Sequence, residues 1–163
     1  MKRQKLSPNF YLDEFTRSQT AARLEISMAV PEGSSVFSNL HHLARRGLQP
    51  ARDALGPIFI SSGYRPPALN SRIGGSSTSA HVPGLAADIS VSGHTPHQVA
   101  RWYEASAVPF DQVIHEFGQW VHVGMAAPGE EPRRQLLTAV KVNGRTVYLE
   151  GIHTMEEALR RAG

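Results

Sequence analysis

The sequence predicts an α+β domain in which a small antiparallel sheet is flanked by helices and followed by a C-terminal hairpin-helix appendage. Three observations lead there. Val36, Leu40, Leu43, Ala44 and Leu48 recur at three- and four-residue steps, the period of an amphipathic helix. Leu85 to Val91 and Trp120 to Met125 are short apolar runs in which alternate residues share a face, as in strands. Asn143-Gly144 between two β-rich runs is a type I′ hairpin signal.

Composition sets the outer bounds. At 163 residues, 40% hydrophobic and 19% charged, the chain is sized for one core. It has no cysteine, so disulfides and thiolate metal sites are excluded and any metal must be held by His, Asp or Glu. The net charge of +3 comes from short groups such as Lys2-Arg3, Arg45-Arg46 and Arg133-Arg134. None is long enough for a nucleic-acid arm, so no nucleic-acid partner is expected. Nor is membrane insertion, since no run approaches the roughly 18 apolar residues of a span. Met1 to Lys5 resembles a signal-peptide n-region, but Ser7, Asn9 and Asp13 follow in place of an apolar segment. The expectation is synthesis in the cytoplasm without a signal peptide, any action outside depending on another carrier. Oligomeric state is not legible.

In chain order, residues 6–30 read as extended chain into helix, with Asp13-Glu14 at the helix start. The clearer helix over 36–48 either kinks through Pro50 or restarts there, and ends near Gly56-Pro57. Ile58 to Ile60 is a short strand stopped by Pro66-Pro67, and Asn70 to Pro83 is mostly irregular. Leu85 to Val91 is a strand, and Thr95 caps a helix to Ala105 with Pro96 at its first position. Phe110 to Ile114 and Trp120 to Met125 form a hairpin turning near Gly118. Pro128 to Pro132 reads as a linker. The Asn143-Gly144 hairpin and a helix capped by Thr154, with Glu157 in the capping-box position, complete the chain.

Chemistry concentrates in two strands. Ala86, Asp88 and Ser90 share one face while Ala87, Ile89 and Val91 share the other. A carboxylate there must be paired or ligated, because an isolated buried charge is very unfavourable. His122 likewise faces away from Val121 and Val123, and His81 leaves an irregular loop seven positions before Asp88. Two histidines and one carboxylate are a catalytic zinc set with a fourth position open. A satisfied structural histidine and a hydrogen-bonding aspartate fit the spacing as well.

Several ordered blocks discriminate between these. Ser62-Gly63-Tyr64-Arg65, Leu69-Asn70, Gly74-Gly75 and Ser79-Ala80-His81-Val82-Pro83-Gly84-Leu85-Ala86-Ala87-Asp88 resemble the signature of the zinc D-Ala-D-Ala carboxypeptidase-like peptidases, family M15. The likeness is to subfamily A of that family, the phage and prophage endolysin-type branch, of hedgehog/DD-peptidase fold. Phe110 to Ile114, Trp120 to Val123, Leu6 to Phe10 with Asp13 to Phe15, and Leu48 to Arg52 fit the same branch, so the resemblance covers roughly residues 6–125. It implies a zinc peptidase domain, assigned to 1–127; the composition shift and turn signals after it make 128–163 a linker, hairpin and short helix, expected to pack on the same core. It implies zinc ligands His81, Asp88 and His122, and Arg65 in the active site, polarising the scissile carbonyl or holding a terminal carboxylate. Ser79 resembles a further substrate-side residue. The implied partner is peptidoglycan peptides of the bacterial cell wall, reached after phage-mediated release or as part of a virion. Ala80 departs from the glutamine common in the branch.

The general base is a second departure. Some relatives carry an acid three residues before the last histidine, where this chain has Gln119. Others of this fold carry Glu six residues before it, here Glu116. A three-residue loop, Gly118 to Trp120, pairs Glu116 with His122 on the metal side. A two-residue loop turns Glu116 away and brings His115 opposite His122. The expectation is the longer loop, with Glu116 as base. The alternative is a non-catalytic zinc-containing wall-binding or virion structural module.

Overall fold

A computed structural model of the chain describes residues 2–163. The first helical region splits in two, α1 (Leu12–Thr16) and α2 (Gln19–Arg23). The break is local: Ser18 caps the second piece by accepting from the Ala21 N–H. Phe15 of α1 is fully buried and anchors the segment that packs beneath the site.

The amphipathic pattern becomes α3 (Ser35–His42), a π-helical stretch (Leu43–Leu48) and α4 (Gln49–Leu55) in unbroken succession. Pro50 has no N–H to donate into the preceding turn. The helix widens ahead of it, with the Gln49 N–H reaching the Ala44 carbonyl. The Gly47 carbonyl in this stretch is satisfied by the buried Tyr103 hydroxyl, which donates to it at 2.8 Å.

The strands are β1 (Ile58–Ser62), β2 (Ala86–Val91), β3 (Phe110–Glu116), β4 (Trp120–Met125), β5 (Gln135–Val142) and β6 (Arg145–Glu150). They form one six-stranded sheet in the order β1-β2-β4-β3-β5-β6. Between them lie α5 (Pro67–Arg72) and α6 (Pro96–Ala105), and α7 (Met155–Ala162) ends the chain. The residues 70–72 expected to be irregular belong to α5, a helix that Pro66 and Pro67 start rather than prevent. Thr154 caps α7 through the Glu157 N–H, while the Glu157 carboxylate turns to Arg161 instead of closing the capping box.

The sheet is mixed, which corrects the expectation of an antiparallel one. β5 pairs parallel to β3, joining Gln112 to Gln135 and Glu116 to Ala139. The linker before β5 crosses the end of the sheet where β4 finishes, so β5 runs in the direction of β3. That crossing is tied down by Arg133, paired with Asp111 at 2.7 Å, and by Arg134, which donates to the Val108 carbonyl. The C-terminal hairpin therefore extends the main sheet. Its Asn143 and Gly144 both have positive φ, as a type I′ turn requires.

One face of the sheet makes the core. Ala87, Ile89, Val91, Val113, Val121 and Val123 are buried against Leu40, Leu43, Leu48, Val99 and Tyr103. Each buried valine or isoleucine contributes roughly 1.5–3 kcal/mol, so this face holds the sheet and leaves the other free for polar groups. Among the described residues, no helix is long and apolar enough to cross a membrane.

Candidate metal centre

Asp88 of β2 and His122 of β4 are direct cross-strand partners on the face opposite the core. His81 joins them from the loop before β2, clamped from two sides. Its Nδ1 donates to the Gly63 carbonyl at 2.8 Å, and its own carbonyl accepts from the Arg65 N–H at 3.1 Å. Gly63 has no room for a side chain, since a Cβ there would lie 2.6 Å from the Phe15 carbonyl oxygen. That same oxygen accepts from the Tyr64 N–H. The buried Phe15 thus sets the backbone that sets His81.

With Nδ1–H committed, the His81 Nε2 carries a lone pair. It is buried, makes no hydrogen bond, and lies 3.3 Å from Asp88 Oδ1. Two acceptors at that separation repel unless a proton or a cation stands between them. His122 Nδ1 lies 3.1 Å from the same oxygen. Burial raises the Asp88 carboxyl, but with a proton on the facing nitrogens of His122 and His81 their hydrogen bonds and charge outweigh this and hold it well below the usual carboxylate range. One ligand atom from each residue falls within a 4.8 Å span, so the cluster can coordinate a metal ion. Its chemistry, two imidazole nitrogens and one ionised carboxylate, suits zinc with an open position.

Glu116 lies on the metal face, but the register differs from that expected. The loop is Phe117 to Gln119, so Glu116 pairs with Trp120, and Ile114 with His122. Phe117 and Gly118 both take left-handed backbone, and the Gln119 N–H returns to the Glu116 carbonyl at 2.9 Å. The turn therefore closes one residue earlier, leaving Glu116 diagonal to His122. The shift conserves the face because it is even in total register. His115 points into the opposite side, its Nδ1 donating to the His153 carbonyl at 2.8 Å. Burial and the neighbouring Asp88 charge push the Glu116 carboxyl up to about 7, against smaller opposing effects of His122, Arg65 and Trp120.

Arg65, at the other side of the cluster, has one nitrogen 3.5 Å from Asn70 Oδ1 and its Nε buried without a partner. Burial lowers its pKa, while the Asp88 and Glu116 charges raise it. Ser79 lines the same cleft, its Oγ accepting from the His81 N–H at 3.3 Å, which leaves its own proton free. Gln119 sits in the turn, away from the cleft lining.

The cleft has a volume of about 650 Å³. Among the described residues, the buried side-chain nitrogens or oxygens lacking a partner are Arg65 Nε, His81 Nε2 and Trp120 Nε1, and all three residues line it. Unpaired buried polar atoms are unfavourable by about 1–3 kcal/mol each, so their convergence marks a place built for a ligand. Trp120 and Tyr148 line the cleft without having been singled out from sequence. Trp120 was legible, being two residues from His122 on an alternating strand. Tyr148 was not, because only the β3–β5 pairing brings its strand alongside.

A family model described as Peptidase M15 matches residues 8–124. The chain belongs to the M15 peptidase family. The M15 match runs from the approach to α1 through β4, and so includes Arg65, His81, Asp88, Glu116 and His122. It stops before Arg133 and Tyr148, which complete the cleft from outside the matched M15 segment. No curated protein matches the sequence.

Proposed function

We propose that this M15 protein is a zinc peptidase that hydrolyses peptidoglycan stem or cross-bridge peptides. The observation that carries the reading is the convergence of three unpaired buried nitrogens on one cleft, beside a cluster able to hold a metal. His81 through Nε2, His122 through Nδ1 and Asp88 through its carboxylate would hold the ion. Zinc bound there supplies Lewis acidity, acidifying a water and polarising a carbonyl.

The chain's own residues do the rest. Glu116, as the carboxylate, takes the proton of the attacking water and passes it to the amine leaving the broken C–N bond. Arg65 offers its unpaired Nε–H to the carbonyl oxygen, which gains charge as water adds. A substrate carboxylate is its other natural partner. The Trp120 indole N–H and the Ser79 hydroxyl are further donors for the peptide backbone. The position of Gln119 in the turn, outside the cleft lining, supports Glu116 over it as the base.

The wall substrate, the phage or prophage endolysin-type branch and the hedgehog/DD-peptidase fold rest on the motif resemblance. So does action outside the cytoplasm of synthesis, after phage-mediated release or within a virion. Digestion of purified peptidoglycan, with and without a chelator, tests the reading when released termini are identified by mass spectrometry. New amino and carboxyl termini that vanish with chelator are expected. No chelator-sensitive release from any wall type contradicts it and favours the non-catalytic module.

A further inference from the structure

We infer that Tyr148, from the C-terminal hairpin, is a substrate-positioning residue that holds the part of the peptide lying beyond Glu116 from the metal. The inference rests on the peptidase reading and assigns a role to a residue outside the M15 match, which ends at residue 124.

The register builds the case. Trp120 pairs with Glu116, Glu116 with Ala139, and Ala139 with Tyr148, giving one row across four strands. Directly paired residues share a face, so Tyr148 stands on the metal side. Only the methyl group of Ala139 separates it from Glu116 along this row. Tyr148 and the three cluster residues line the same cleft, and this large aromatic residue is 56% exposed. Burial of the hydroxyl and the Glu116 charge both raise the phenol pKa, so it keeps its proton and remains a donor.

The order of groups across the sheet gives the role. Arg65 follows β1 at one side, the cluster spans β2 and β4, Glu116 ends β3, and Tyr148 lies on β6. A peptide crossing the strands over the cluster meets Arg65 on one side of the scissile bond and Tyr148 on the other. An exposed aromatic face with a donor at its rim packs against an extended peptide and bonds its backbone. The linker pair Arg133–Asp111 fixes the parallel β5 that brings this hairpin alongside.

The test is kinetic and binding analysis of Tyr148→Ala and Tyr148→Phe. Soluble muropeptides, prepared from peptidoglycan that the wild type digests, serve as substrate, with retention on insoluble peptidoglycan as a second readout. Tyr148→Ala is expected to raise KM about tenfold, the size of one lost aromatic contact and hydrogen bond. Its kcat, zinc content and melting temperature should match the wild type, and Tyr148→Phe should recover most of the loss. An unchanged KM in Tyr148→Ala overturns the inference, as does a fall in kcat alone or a loss of bound zinc. If the wild type releases no termini, the peptidase reading fails separately. Retention then decides: loss in Tyr148→Ala upholds the contact, and unchanged retention removes it.

Discussion

His81 and His115 are both buried, at 1% and 2% exposure, and each donates its Nδ1–H to a backbone carbonyl at 2.8 Å. Their other ring nitrogens set them apart. His115 lies on the core side of β3, its ring 5.6 Å from His97, and burial lowers its pKa. His81 Nε2 has no partner and faces the Asp88 carboxylate. Burial and a fixed tautomer are therefore common to both. What sets His81 apart is a second nitrogen that is buried, unpaired and turned on a carboxylate, as a metal ligand's would be.

The sharpest way to break this contrast is to replace each histidine. His81→Ala should bring bound zinc, measured by elemental analysis, and hydrolysis down to background. His115→Asn should keep its zinc and lower only the melting temperature. Equal zinc loss in both would remove the distinction.

Next in size is Glu116→Gln. It should retain zinc while kcat falls about 10²–10⁴-fold, the usual contribution of a positioned proton-transfer group. Wild-type turnover in that variant would exclude Glu116 as the base.

A smaller effect should come from Gly63→Ala, which forces the Phe15 carbonyl and the His81 acceptor apart. Zinc affinity should drop about 10–100-fold, as when the residue supporting a metal ligand is disturbed. Competition with a chromogenic chelator measures it.

The smallest expected effect is on stability. The Glu116 carboxyl is raised from its ordinary 4.5 to about 7 in the folded protein. Its protonated form is thus favoured by folding, and the stability it contributes is present below about pH 4.5 and lost as pH rises through about 7. Metal-free Glu116→Gln should consequently melt a few degrees above metal-free wild type at pH 8, and level with it at pH 4. A difference that persists unchanged at pH 4 would contradict the burial argument.

Much of the metal face was legible before the fold. The alternation around Asp88 and His122 is a local property of each strand, and period two fixes the face whatever the partner. Register is not local. The β3–β4 turn closes at Phe117 because that residue and Gly118 both adopt left-handed backbone, a conformation uncommon for phenylalanine and so not anticipated. Parallel pairing of β5 with β3 depends on a crossing linker held by Arg133 and Arg134. No periodicity within β5 reveals it, and with it went Tyr148. The π-helical stretch before Pro50 reconciles the kink and the restart, a solution read only from which carbonyl the Gln49 N–H reaches.

Zinc titration of chelator-stripped protein, with bound zinc and released peptidoglycan termini followed in the same samples, tests the central claim most directly. Both are expected to rise together and saturate at one zinc per chain, with Glu116→Gln binding zinc equally but releasing termini about 10²–10⁴-fold more slowly. Hydrolysis by the stripped protein, or zinc binding that never brings hydrolysis, would contradict it.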